Sequence, residues 1–314
     1  MMKNQPNSSL HVLFGKYKMP ASLRKLHDLF EQCKAEGMDE YDVARFYPIT
    51  DNFRYFNTPL DVIPFGSTGM DGIHYGFLTD FGTVPDLEQA IIVCVSPMDF
   101  DQPVHIIARN FLDFLRLNMT HSELFYNVWE NEEAYRVQKL QWENELSCDR
   151  ELLAAEEKRR YLLTSAFELP NIVNPYQYVQ SIKEERRQHV AFVTRDGLGI
   201  ARSTELSKSI RTGFAVPQVD EMEMEELESF WQSASRSEQL ALIRDLQFTY
   251  ILRDEPELFA FVVGRLEEIG LSDEAKRLKG EYEEANKRKK SQWKVVSSVT
   301  IELSREAEEE DETD

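Results

Sequence analysis

Six aspartates in the first third of the chain, Asp61, Asp71, Asp80, Asp86, Asp99 and Asp101, fall among glycines, prolines and turn-forming residues. Carboxylates gathered at loop tips can act as a general acid and base, hold calcium, or form a face that attracts cations. Calcium loops need acids at close alternate positions, and Asp99-x-Asp101 is only the beginning of such a pattern. Solvated loop acids are the plainest account, and a contact face for a cationic partner comes next. Phe53, Tyr55, Phe56, Tyr75, Phe77, Phe81 and Phe100 accompany these acids. Most of them belong to a core by their number. Any that surface beside the aspartates would join an apolar anchor to a charged surround, as protein-recognition patches do. Asp61, Asp71, Tyr75, Asp80, Phe81, Asp99 and Asp101 are therefore the candidate partner-binding residues.

Other chemistry finds little footing. The segment FGSTGMDG has glycines and hydroxyls but neither a Gly-Lys-Ser/Thr ending nor G-x-G-x-x-G spacing. It reads as a β-turn loop, with Asp71-Gly72 supplying the turn chemistry. His74 and His105 sit in apolar alternating runs, and no His-x-His or His-x-x-x-His pair exists to begin a metal site. Neither a nucleophile elbow nor a Cys/His protease signature is present. Cys33, Cys94 and Cys148 lie far apart, and Cys94, inside an apolar run, reads as a buried structural thiol. No catalytic residue, cofactor or metal is expected, and the cysteine usage predicts a reducing, cytoplasmic setting.

The elements that must carry these residues follow from periodicity. Leu23, Leu26, Leu29, Phe30 and Cys33 mark one face of a helix that starts after Pro20 and stops at Gly37. A short helical piece near Tyr41–Phe46 follows. Ile63–Phe65, Ile73–Leu78, Ile91–Val95 and Val104–Ala108 predict strands, mainly antiparallel because short turns join them. A helix from Asn110 closes this unit. THSE, from Thr120 to Glu123, reads as a capping box that opens a long helical stretch to about Phe167, with breaks near Asn131 and Ser147. Asp196-Gly197 predicts a hairpin, either on an edge of the first sheet or in a small second one. From Glu221 helices return, with a capping box at Ser235 and Glu238, Pro256 in a first turn and Gly270 as a stop. Residues 293–304 alternate like a last strand. The layout predicts an α+β fold: a sheet domain over 1–119, a helical segment with a hairpin over 120–219, a small helical region over 220–303, and an acidic disordered tail over 304–314.

Charge narrows the partner. The 314 residues carry a formal net charge of -20, and residues 220–314 hold 26 acids against 13 bases. Phosphate backbones need clustered Lys and Arg, so nucleic acid is disfavoured. A basic protein would be drawn in, with charge acting mainly on the rate of encounter. No apolar run reaches the length of a bilayer span, and the first ten residues lack the apolar core of a secretory signal.

The run TPLDVIPFGSTGMDGIHYGFLTDFG, the strand pair Ile91–Val95 and Val104–Ala108, and the helix from Asn110 resemble the SUKH superfamily over roughly residues 20–118. That group includes cell-wall-synthesis regulators of the Smi/Knr type and bacterial toxin-immunity proteins. The resemblance implies a mixed sheet flanked by helices and no enzymatic activity. In the immunity branch it implies tight binding of a toxin, often a nuclease with a basic face. Two further readings stand beside that one. One is a regulatory scaffold acting through the C-terminal helices. The other is an enzyme whose site lies outside known motifs.

Overall fold

The computed structural model describes residues 13–202, 211–212, 215–216, 223–285 and 287. Helix α1, Ala21–Lys34, buries Leu23, Leu26, Phe30 and Cys33, the face its spacing dictates. Helix α2, Glu40–Ala44, begins with a capping box between Asp39 and Asp42. Five strands then form an antiparallel sheet in sequence order: β1 Tyr47–Pro48, β2 Val62–Ser67, β3 His74–Leu78, β4 Ile91–Val95 and β5 Val104–Ala108. Its strands are apolar at nearly every position because both faces are covered. Ile63, Phe65, Tyr75, Phe77, Ile92, Cys94 and Ile107 join the core that contains α1 and α3. Val62, Leu78, Val93, Val95, Val104 and Ile106 turn the other way, to Ile182 and Leu198. The period of two along each strand sorts side chains between these layers.

Helix α3, Phe111–His121, is capped by the Asn110 side chain, which accepts the Asp113 N–H. It runs through the expected boundary at 119/120. The capping box expected at Thr120 is not formed. Thr120 lies in the last turn of α3, and the next helix, α4 Glu132–Cys148, is capped by Asn131. Burial of Leu117, Asn118 and Met119 carries α3 onward, and this packing outweighs the local cap preference. Helix α5, Arg150–Ala166, starts at an Asp149 cap, and α6, Pro175–His189, at an Asn174 cap. Phe125, Tyr135, Leu163, Phe167 and Val179 belong to the same core as the sheet.

The hairpin makes a second sheet. Strand β6, Val190–Val193, pairs antiparallel with β7, Ile200–Ala201, and parallel with β8, Arg211–Thr212. The Asp196 carboxylate fixes the turn by accepting the Leu198 N–H and the Thr194 hydroxyl, at 3.0 and 2.6 Å.

Helices α7 Met224–Ser233, α8 Arg236–Phe248, α9 Pro256–Glu268 and α10 (residues 272–285) complete the described chain. The Ser235–Glu238 capping box, Pro256 in the first turn of α9, and Gly270 with positive φ all occur as their spacing requires. The expected strand at 293–304 and the acidic tail lie outside the described residues. Among the described residues, no helix is long and apolar enough to cross a membrane. The core of this helical unit also contains Leu60 and Phe81 from the loops of the first sheet. The result is an α+β fold in which an antiparallel sheet and a helical C-terminal region share a seam.

That seam is polar as well as apolar. The Gln247 amide donates to the carbonyls of Phe56 and Thr58, and its oxygen accepts the Leu60 N–H. Arg277 donates to the Leu60 carbonyl at 2.9 Å. A loop can be buried only when its backbone polar groups find partners, and these side chains supply them.

Candidate functional site

The sheet register places two turns at one end. Ser67 faces His74, His74 faces Val95, and Val95 faces Val104, so turns 68–73 and 96–103 lie side by side. In the first, Gly69, Asp71 and Gly72 all have positive φ, and the Thr68 N–H closes the loop on the Ile73 carbonyl. Gly72 has no substitute there, because an added Cβ would sit 2.5 Å from the Tyr55 ring. In the second, the Ser96 N–H donates to the Pro103 carbonyl, and Asp99 accepts the Gln102 N–H at 3.2 Å.

These closures leave the middle of each turn pointing outward. Met70, Met98 and Phe100 are 65%, 64% and 71% exposed. Asp71 and Asp101 are exposed beside them, and Asp99 is half-buried. Asp99 Oδ2 stands 3.8 Å from His105 Nε2, beyond hydrogen-bond reach. Burial, aided by Lys183, holds the His105 pKa below its ordinary value against the pull of Asp99. Large apolar side chains interleaved with carboxylates form a tip that can dock a surface with apolar hollows and positive charge.

The seven candidate residues therefore separate. Asp71, Asp99 and Asp101 meet at this tip. Asp61, Asp80, Phe81 and Tyr75 are not part of it, which corrects the grouping expected for them. Tyr75 is a core residue packed among Phe46, Phe114 and Phe125. Asp61, Asp80 and Phe81 lie at the opposite end of the sheet, in the seam. Asp61, fully buried, accepts from Arg244 Nη2 at 2.6 Å, and Arg244 Nη1 donates to Asp196 at 2.9 Å. Asp80 receives both terminal nitrogens of Arg186, at 2.8 and 2.6 Å. The Arg244 guanidinium lies 5.0 Å from the centroid of the buried Phe81 ring. The glycines and threonines around these acids signal turns correctly. Their guanidinium partners come from α6 and α8, far along the chain, and leave no local mark.

Met70 and Met98 stand outside the seven candidate residues. The available signal was Pro97-Met98-Asp99-Phe100-Asp101, where apolar and acidic residues alternate inside a turn that has no core to face.

Beside the tip lies a cleft of about 770 Å³. Its walls come from the 51–57 segment, Met98 and Phe100, Tyr250 and Arg253, and the end of α10. Within it, Arg54 makes four hydrogen bonds. Its Nε donates to Glu281 Oε1 at 2.5 Å, and its terminal nitrogens donate to the carbonyls of Val62, Thr58 and Pro59. Burial pushes the Glu281 pKa up to about 7 despite Arg54. Glu281 Oε2 and Asn57 Oδ1 are buried acceptors without a hydrogen-bond partner. Nearby, His74 is held between Thr58 Oγ1 at 3.1 Å and the Gly72 carbonyl at 2.7 Å, stacked on Tyr55. Its burial lowers its pKa to about 4, which suits a neutral structural histidine. Among the described residues, no group of three or more His, Cys, Asp or Glu side chains is placed to hold a metal ion.

A scan against protein-family models matches none, and a search of curated proteins returns no match to this chain.

Proposed function

We propose that this chain is a non-catalytic protein-binding protein that docks a basic partner on the tip formed by Met70, Asp71, Met98, Asp99, Phe100 and Asp101. One observation carries the reading. Three large apolar side chains, each more than three-fifths exposed, and three carboxylates lie on two turns at the same end of one sheet. Clustered exposed apolar groups rimmed by charge mark interaction sites far more often than isolated ones do. The net charge of -20 supports a basic partner, since it would speed encounter with one. The resemblance of residues 20–118 to the SUKH superfamily points the same way, toward an immunity-type inhibitor of a basic toxin. The scaffold reading has less support. In α8 every residue from Leu240 to Gln247 is buried, so the faces of that helix are spent inside the molecule.

The test compares the chain with a Met70→Ser, Met98→Ser, Phe100→Ser variant, whose changes lie at exposed positions and leave the core intact. Each is used to capture partners from an extract of the source cell. A specific partner is retained by the first and lost by the second. Its association with the unaltered chain slows steeply between about 50 and 300 mM salt, over which the Debye length more than halves. Equal capture by both, or a salt-independent association rate, defeats the proposal.

A further inference from the structure

We propose that the cleft beside the tip is a guanidinium site, which receives an arginine side chain of the docked partner. That the arginine comes from a partner rests on the docking reading above; the chemistry of the cleft stands independently of it.

Arg54 spends four of its five N–H donors on Oε1 of Glu281 and three backbone carbonyls, and Glu281 Oε2 is left unpartnered. Asn57 Oδ1, in the same cleft, is unpartnered too, while the Asn57 amide nitrogen donates to the Pro97 carbonyl. Both residues are more than nine-tenths buried. A buried acceptor without a donor costs about 1–3 kcal/mol, so each is a standing demand for an N–H or O–H group. Two unpartnered buried acceptors favour a ligand that brings donors over phosphate, carboxylate and sulfate, which only accept.

The walls narrow the class further. Phe53, Tyr55, Phe56, Phe100 and Tyr250 present aromatic surface to the cleft. Rings favour a planar, weakly hydrated cation stacked on their faces, and a guanidinium stacks better than an ammonium. Asp51, Glu283 and Arg253 line the cleft, and Lys287 is 3.8 Å from Glu284, so the walls carry a slight negative excess. Glu281 can serve two guanidiniums, one on each oxygen, the shared-carboxylate arrangement that places Arg54 on one side and the entering group on the other. Both orphan oxygens are closed from solvent as the walls stand. Entry therefore requires a wall side chain to turn aside, and that motion is part of the proposal.

The probe is N-acetyl-arginine methylamide, titrated into the full chain and followed by amide NMR shifts, with the citrulline and lysine analogues as controls. Citrulline keeps the shape and loses the charge. The expected result is saturable binding near about 1 mM, corresponding to about 4 kcal/mol, with shifts in segment 51–57 and at the end of α10. The citrulline analogue should bind at least about tenfold more weakly, a difference of about 1.4 kcal/mol. Glu281→Gln should weaken arginine binding by a similar factor. Because that variant also disturbs Arg54, a second one fills the cleft instead. Gly280→Leu lies on α10, where an added Cβ meets only the movable end of the Asn52 side chain at 2.8 Å, and it should abolish binding with the fold kept. Absence of saturable shifts up to about 20 mM, equal affinity for arginine and citrulline, or unchanged binding in Gly280→Leu overturns the site. If the arginine probe fails while the triple-serine tip variant still loses its partner, only the cleft assignment falls. If the probe binds while the tip variant keeps its partner, the docking reading falls and the guanidinium site remains.

Discussion

Inside the seam, among the described residues, Asp61, Asp80 and Asp196 form their ion pairs with Arg186 and Arg244, three carboxylates against two guanidiniums. The anions are under-served and the cations over-served. Burial works against the Arg244 charge, yet Asp61 and Asp196 outweigh it and raise its pKa. Asp61 fares the other way: burial lifts its pKa to about 6 against the pull of Arg244, and its Oδ1 has no partner. A carboxyl whose folded pKa lies above its unfolded value of 3.8 favours folding in its protonated form. Its contribution is complete below the unfolded value and is lost as pH rises to about 6. Asp61→Asn keeps the acceptor for Arg244 and removes the surplus charge, so it should cost less than about 1 kcal/mol at neutral pH. Relative to the unaltered chain, the variant should gain stability between pH 3.8 and about 6 and hold the gain above. Arg244→Met strands the carboxylates and should cost about 3–5 kcal/mol. Urea titrations at several pH values measure both, and a flat difference between Asp61→Asn and the parent would refute the excess-charge account. This is also where the sequence ran out. The acids were legible as turn residues, but Arg186 and Arg244 lie 106 and 183 positions from their carboxylates, and no pattern of spacing links them.

The elements were more legible than the pairings. The α1 face, strands β4 and β5, the breaks expected near Asn131 and Ser147 and found at Asn131 and Asp149, and the Ser235 cap follow from periodicity and cap chemistry, which act within a few residues. Thr120 failed because a cap preference of about 1 kcal/mol competes with the burial of Leu117 and Met119 in the same helix. The parallel strand β8 could not be read, because its pairing with β6 is long-range. Glycines show the same division between local and distant causes. Gly76 sits in β3 where a Cβ would lie 2.4 Å from Val62 and 3.0 Å from the Ile63 carbonyl, contacts made by the neighbouring strand. Gly264, inside α9, has open space around it. Gly76→Ala should therefore destabilise by about 1–3 kcal/mol through overpacking. Gly264→Ala should stabilise by about 0.5–1 kcal/mol, because alanine loses less backbone freedom in a helix. Denaturant midpoints of the two variants decide this, and a shift of the same sign in both would contradict it.

At the scale of the molecule, the seam decides whether sheet and C-terminal helices behave as one unit. Leu60 and Phe81 leave the first sheet to enter the helical core, and Gln247 and Arg277 reach back to the backbone around Leu60. Arg54 and Glu281 form a second buried pair across the same boundary, 2.5 Å apart. Neither side can open without uncovering apolar surface and stranding buried polar groups, each costing about 1–3 kcal/mol. The parts should therefore unfold together. Trp231 is buried in the helical core, and a chain keeping it as the sole tryptophan, the other three changed to phenylalanine, reports on that core alone. Its fluorescence should follow the same urea transition as far-UV circular dichroism, the test of two-state behaviour. Gln247→Leu strands the Leu60 N–H and the Phe56 carbonyl, leaves Thr58 only its bond from Arg54, and weakens the junction more than either core. In that variant the Trp231 transition should come first, at lower urea than the loss of overall secondary structure. Separate transitions in the unaltered chain, or coincident ones in Gln247→Leu with no loss of stability, would show that the junction does not couple the two.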